Sequence, residues 1–205
     1  MKYIMMGTSS NFGNMFSMAG AALFLPFLPM LPVQILLNNL LYDVSELPIP
    51  LDQVDDEDLR QPRHWDMNFI RNFMLIIGPV SSLFDFLTFY LMLTVFNALG
   101  AALFHTGWFI ESMATQVLVI FVIRTRRHPF HSRPNRWLLV GSLMVVATAV
   151  LLPFTPAGVH LGFVPPPASF FFILIAMVLF YLLVVERIKQ WFFQRFAPVV
   201  KMTNP

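Results

Sequence analysis

The 205-residue chain has no cysteine, which excludes disulfides, thiolate catalysis, zinc ribbons and iron–sulfur ligation. Charge is scarce as well: Asp, Glu, Lys and Arg make up 12% of the residues, where an ordinary soluble domain carries about 25%. No stretch has the composition of a soluble domain. Of the five histidines, only His128 and His131 stand close together, and their arginine-rich surroundings read as a solvated loop rather than a ligand pair. What is present is 57% hydrophobic, with 23 phenylalanines and 13 methionines, at a mean hydropathy of +0.69. Such a chain belongs in a bilayer, where a span takes about 20 mostly apolar residues. A cleaved signal peptide is not expected, because Thr8 to Asn11 and Asn14 interrupt the apolar segment that one needs.

Six membrane segments follow from hydropathy and breakers: Tyr3 to Leu25, Met30 to Glu46, Asn68 to Asn97, Ala101 to Ile123, Trp137 to Phe154 and Ala168 to Val185. The first two are joined by a short reversal at Pro26–Pro29. The charged, proline-rich stretch Leu47 to Asp66 is not a span. Basic residues fall on alternate connections only: Arg60 and Arg63, then Arg124, Arg126, Arg127, Arg133 and Arg136, then Arg187, Lys189, Arg195 and Lys201. That bias predicts an all-α, polytopic membrane helix bundle of six transmembrane helices with both termini cytoplasmic. Trp65, Trp108, Trp137 and Trp191 stand near segment ends and read as interfacial anchors. The tail from Arg187 to Arg195 reads as an interfacial helix, and the acidic run Asp52 to Asp58 as a solvated loop.

Polar side chains inside such segments are costly, about 2.5–3.5 kcal/mol for a central aspartate, so they face other helices or a hydrated path. Asn11 and Asn14 are three apart and Ser10 and Asn14 four apart, which places them on one helical face. Asn39 and Asp43 are four apart, with Gln34 near the same side. Counted from the proline turn, the two sets lie at similar depth. Amide and carboxylate oxygens suit a hard cation, and Mg²⁺ in particular keeps several waters and needs one or two carboxylates. The competing reading is that the asparagines only hydrogen-bond across helices, at about 0.6–2 kcal/mol each. Asn11, Asn14, Asn39 and Asp43 form the candidate metal set; Ser10, Gln34, Tyr42, Asp85 and Glu111 are further candidates.

These residues also carry a resemblance. Ser9-Ser10-Asn11-Phe12-Gly13-Asn14 resembles the Ser-Ser-Asn-x-Gly-Glu/Asn segment in the fifth transmembrane helix of P-type cation ATPases, and Asn39-Leu40-Leu41-Tyr42-Asp43 their sixth-helix Asn-x-x-Thr-Asp segment. Phe24-Leu25-Pro26-Phe27-Leu28-Pro29-Met30-Leu31-Pro32, Gly107-Trp108-Phe109-Ile110-Glu111-Ser112 and Ile123-Arg124-Thr125-Arg126-Arg127 are similar to the bacterial magnesium-transporting members. The resemblance covers nearly the whole chain, as helices five to ten. It implies a pump in a bacterial inner (plasma) membrane that couples ATP hydrolysis to Mg²⁺ import, Mg²⁺ being the transported ion, with Asn11, Asn14, Asn39 and Asp43 in contact with it. Tyr42 stands where many relatives have threonine.

The chain departs from that family in lacking the Asp-Lys-Thr-Gly phosphorylation loop, a nucleotide pocket and the fourth helix. It is therefore not expected to hydrolyse ATP alone; ATP would act only through missing domains. The reading is a C-terminal membrane part whose partners are the lipid bilayer and the missing actuator, phosphorylation and nucleotide domains with helices one to four; no nucleic-acid partner is expected. Residues 1–46 would be the ion-site helix pair, 47–66 a cytoplasmic loop and 67–205 a four-helix supporting bundle with a cytoplasmic tail. The alternative is an independent small membrane protein, either a passive cation pathway or an accessory subunit of an intact pump.

Overall fold

A computed structural model describes residues 2–52, 67–98, 100–125 and 133–196. The His128/His131 pair, Trp65 and the acidic run after Asp52 lie outside the described residues, as do Arg126 and Arg127. Among the described residues the chain is all-helical. Its α-helices are α1 (Lys2–Ala21), α2 (Pro32–Glu46), α3 (Met67–Thr94), α4 (Ala101–Ile123), α5 (Arg136–Leu151), α6 (Pro156–His160) and α7 (Ala168–Phe196), with 3-10 turns at Ile49–Leu51 and Leu152–Phe154.

Local chemistry sets the helix starts. Pro32 opens α2 with its φ already helical, and Gln34 Oε1 reaches back to accept from the Leu31 N–H at 3.0 Å. At α5, Asn135 is the N-cap and its side chain accepts from the Trp137 N–H at 2.9 Å. Thr155 caps α6 in the same way, ahead of Pro156. α1 stops at Ala21, four residues before the expected end, so the reversal into α2 occupies 22–31 rather than the prolines alone.

Four segments combine the length and hydropathy to cross a membrane: α3, α4, Arg136–Phe154 and α7. α1, at 20 residues, is about 30 Å long, but its run of hydroxyls and amides lowers its hydropathy. α2 has 15 residues, about 22 Å. The central helix is α4, in which every residue from Phe104 to Val117 is buried. It is buried on every side because the other long helices pack around it, and its polar residues, among them His105, Glu111 and Gln116, are buried with the rest. α1 lies closest to α3, where Gly13 faces Gly78 so tightly that a Cβ on Gly13 would sit 3.1 Å from the Gly78 carbonyl. Ser82 Oγ seals that seam by donating to the Gly13 carbonyl at 2.9 Å, small residues admitting close helix approach as they do in lipid.

Two expectations need correction. The stretch Arg187–Arg195 does not form a separate interfacial helix but continues α7 without a break to Phe196. Its inner stripe explains this, since Phe192 packs on Phe69 and Phe73 with ring centroids 5.0 and 5.3 Å away, and Lys189 is wholly buried. Trp108 is not an anchor at the membrane surface. It is 1% exposed in the middle of the bundle, its ring edge-on to Phe89, whereas Trp137 and Trp191 are exposed as expected.

One glycine position tests the outer turn. A Cβ on Gly158 would lie 2.0 Å from the Leu152 carbonyl oxygen, a backbone atom that cannot rotate away. Gly158→Ala is expected to destabilise the full chain in detergent by about 1–3 kcal/mol, read as a lowered thermal unfolding midpoint. Gly100→Ala, which meets no atom within 4 Å, is the control and should leave the midpoint in place.

Candidate functional site

A cavity of about 320 Å³, in which four asparagines and a serine stand among mostly apolar surface, opens between α1, α2 and α4. α1 contributes Asn11 and Asn14 from one face, α2 contributes Asn38 and Asn39, and α4 closes the wall with Trp108 and Ser112; methionines and Ile35 complete the lining. At roughly 30 Å³ per water the space holds about ten waters. That is room for a small ion with most of its hydration shell.

The donors are held from behind. Gln116 on α4 donates from Nε2 to Asn14 Oδ1 at 3.1 Å, and the same nitrogen makes a short bond to Ser112 Oγ. Asn38 contributes to the lining but is 3% exposed, and its Oδ1 is buried with no hydrogen-bond partner in the protein. No group of three or more His, Asp or Glu side chains suited to a metal occurs among the described residues. The cavity is therefore an amide and hydroxyl site of low charge. It suits a hard cation that retains several waters better than one needing a carboxylate cage.

Three of the four candidate ligands, Asn11, Asn14 and Asn39, thus share one cavity. Asp43 is exposed and outside the lining. Helix rotation accounts for this: Tyr42 follows Asn38 on the inward face, while Asp43 follows Asn39 along the adjacent, outer face. Ser10 and Tyr42 are buried one step below the cavity. Gln34 is spent on structure, with its oxygen on the Leu31 N–H and its Nε2 donating to the Leu161 carbonyl at 2.9 Å. Asp85 is buried between Ser17 Oγ, 2.5 Å away, and Trp108 Nε1, 2.8 Å away. Glu111 is buried between Thr88 and Asp85, within hydrogen-bond reach of both.

Sequence reasoning missed Asn38, Ser112 and Gln116. Asn38 is adjacent to the chosen Asn39 and falls on the inward face once the helix phase is fixed by Gln34, Tyr42 and Ser45. Ser112 and Gln116 are four apart on α4, a spacing that was legible but lacked a partner until α1 was placed beside it.

Among the described residues, the fold is that of a multi-helix protein with four helices able to cross a membrane, and it holds one cavity where asparagines and a serine meet. Residues 27–191 match the family described as cation transporting ATPase, C-terminus, and the chain belongs to that family. It is similar to the magnesium-transporting ATPase, P-type 1, of Salmonella typhimurium (strain LT2), at 46% identity over 96% of this chain and 22% of that protein. It is also similar to the protein of the same name from Escherichia coli (strain K12), at 47% identity over 78% of this chain and 18% of that one. The chain thus spans about a fifth of the length of the curated relatives it matches.

Proposed function

We propose that the chain supplies part of the intramembrane cation site of an ATP-driven Mg²⁺ importer in a bacterial inner membrane. The observation that carries this reading is the cavity in which amides of α1 and α2 meet Ser112 of α4 with space for a partly hydrated ion. The names of its relatives supply the ion, and their much greater length supports ATP chemistry borne on other domains. In this reading α1 and α2 join the four long apolar helices to make six crossings. The basic end, where α4 finishes at Arg124 and α5 begins after Arg133, then faces the cytoplasm with both termini.

The test uses a full-length pump whose C-terminal helices are those of this chain. Asn14→Ala removes an amide held by Gln116 and should lower Mg²⁺ uptake at least about ten-fold, equivalent to about 1.4 kcal/mol of cation binding. Gln34→Leu, which alters a buried amide engaged elsewhere, should affect stability before uptake per folded molecule. Unchanged Mg²⁺ uptake by Asn14→Ala would overturn the assignment.

A further inference from the structure

Gln116 is not part of the cavity wall, yet it is bonded to two residues that are. Its Nε2 carries two hydrogens, and each has an acceptor: Asn14 Oδ1 on α1 at 3.1 Å, and Ser112 Oγ one turn away on α4 through the short bond. An amide carbonyl oxygen has two lone pairs. Gln116 engages one on Asn14 and leaves the other for an occupant of the cavity.

The arrangement fixes a direction. The terminal torsion of an asparagine is broad, so Asn14, half-buried beside a space large enough for water, keeps its oxygen in one orientation only where a partner holds it. Gln116 is itself held. It is buried on α4, the helix enclosed by the rest of the bundle, and Ser112, 2% exposed, takes its second hydrogen. A buried amide whose hydrogens lack acceptors is costly, so Gln116 has little freedom to turn away from Asn14. The most enclosed helix thus sets the angle at which an α1 oxygen meets the cavity.

We propose that Gln116 is the positioning residue that sets the cavity's preference for Mg²⁺ over Ca²⁺, through the fixed direction it gives the Asn14 oxygen. This rests on the reading of the cavity as a cation site. Mg²⁺ demands near-ideal octahedral angles and sheds water reluctantly, whereas Ca²⁺ takes more oxygens at longer and more variable distances. An oxygen held at one angle suits the first ion, whether it meets the metal or one of its waters. An oxygen that swings penalises Mg²⁺ more than Ca²⁺.

The test uses the full-length pump whose C-terminal helices are those of this chain, with equilibrium binding of Mg²⁺ and of Ca²⁺ each measured alone. Gln116→Met is similar in length but has no N–H to give. Mg²⁺ binding should weaken about five-fold, which is about 1 kcal/mol and the scale of one side chain's released freedom, while Ca²⁺ binding changes by less than about two-fold. Gln116→Asn keeps a buried amide but shortens its reach to Asn14; it should move the ratio of the two ions in the same direction, and it gives the readout where Gln116→Met fails to fold. Added to Asn14→Ala, Gln116→Met should weaken Mg²⁺ binding little further, because its effect runs through Asn14. Equal losses for both ions, or a full additional loss on top of Asn14→Ala, would make Gln116 a packing residue and overturn the proposal, while the cavity stands as long as Asn14→Ala alone weakens Mg²⁺ binding. If Asn14→Ala binds Mg²⁺ as the parent does, the cation reading fails and the preference falls with it.

Discussion

Replacing Asp85 with alanine should destabilise the bundle by about 2–4 kcal/mol, because the buried donors Ser17 and Trp108 lose their acceptor at once and Glu111 loses a hydrogen-bond partner. Ser17 on α1 and Trp108 on α4 both donate to this one α3 carboxyl, so Asp85 joins three helices through a single group. Each orphaned donor costs about 1–3 kcal/mol when no water can replace the lost acceptor, while hydrogen bonds between membrane helices average nearer 0.6 kcal/mol; the range lies between these limits. Asp85→Asn keeps an acceptor oxygen for one donor and should lose less than Asp85→Ala. Trp108→Phe leaves the carboxyl with Ser17 and should fall between Asp85→Asn and Asp85→Ala. The order is read from unfolding midpoints of the full chain in detergent. An alanine variant as stable as the parent would show that the three-helix junction contributes nothing. A second consequence links the junction to the cavity. Ser17 stands one turn from Asn14 on α1, and Trp108 is itself part of the cavity wall. If the cavity holds Mg²⁺ as proposed, loss of Asp85 should weaken that binding even in the fraction that stays folded.

How much of this was legible in the sequence depends on the kind of signal. The four long apolar helices were, since an unbroken apolar run longer than the hydrocarbon core has few alternatives; α4 is found at its expected bounds, Ala101–Ile123. The pairing of Asn11 and Asn14 with Asn39 across a turn was legible too, because i, i+3 spacing and a proline reversal fix both face and depth. Helix phase was not. Choosing between Asn38 and Asn39, or between Tyr42 and Asp43, requires knowing which side of α2 meets α4 and α5, and two adjacent polar residues point about 100° apart. Trp108 shows the same limit in another form. A tryptophan a third of the way into an apolar segment reads as an anchor until a buried acid on a different helix, Asp85, gives its N–H a partner. The tail failed for a related reason. Its alternation of charge and aromatics fits an interfacial helix, but the stripe of Val185, Lys189 and Phe192 is also a docking face, and α4 is there to receive it.

The reach of that docking face is set by Lys189. This residue has no exposed surface, and its Nζ donates to the Val122 carbonyl at 2.9 Å and the Thr125 carbonyl at 3.1 Å, at the C-terminal end of α4. It also pairs with Glu186 Oε2 at 2.6 Å, and Gln190 Nε2 holds the other Glu186 oxygen at 2.8 Å. A helix end leaves carbonyls without intrahelical partners and carries partial negative charge, so a buried ammonium from a neighbouring helix satisfies both. On the other side of the same helix end, Arg124 pairs with Asp52 at 2.8 Å, and Asp52 also accepts from the Asn135 N–H. The end of α4 is thereby tied to α7, to the segment after α2 and to the start of α5. Lys189→Met keeps the length of the side chain but strips the ammonium from the carbonyls and leaves the Glu186 charge without its counter-ion. The expected loss is about 3–5 kcal/mol, the range for breaking a buried pair by removing one partner. Adding Glu186→Gln should recover part of it, because two neutral side chains in place of a buried ion pair are often close to neutral in stability, giving a coupling of about 1–3 kcal/mol. If instead the double variant is less stable than Lys189→Met alone, the contribution of Lys189 lies in the α4 carbonyls and not in the charge of Glu186. A single Lys189→Met variant that unfolds at the parent midpoint would remove the argument that α7 is anchored by this contact.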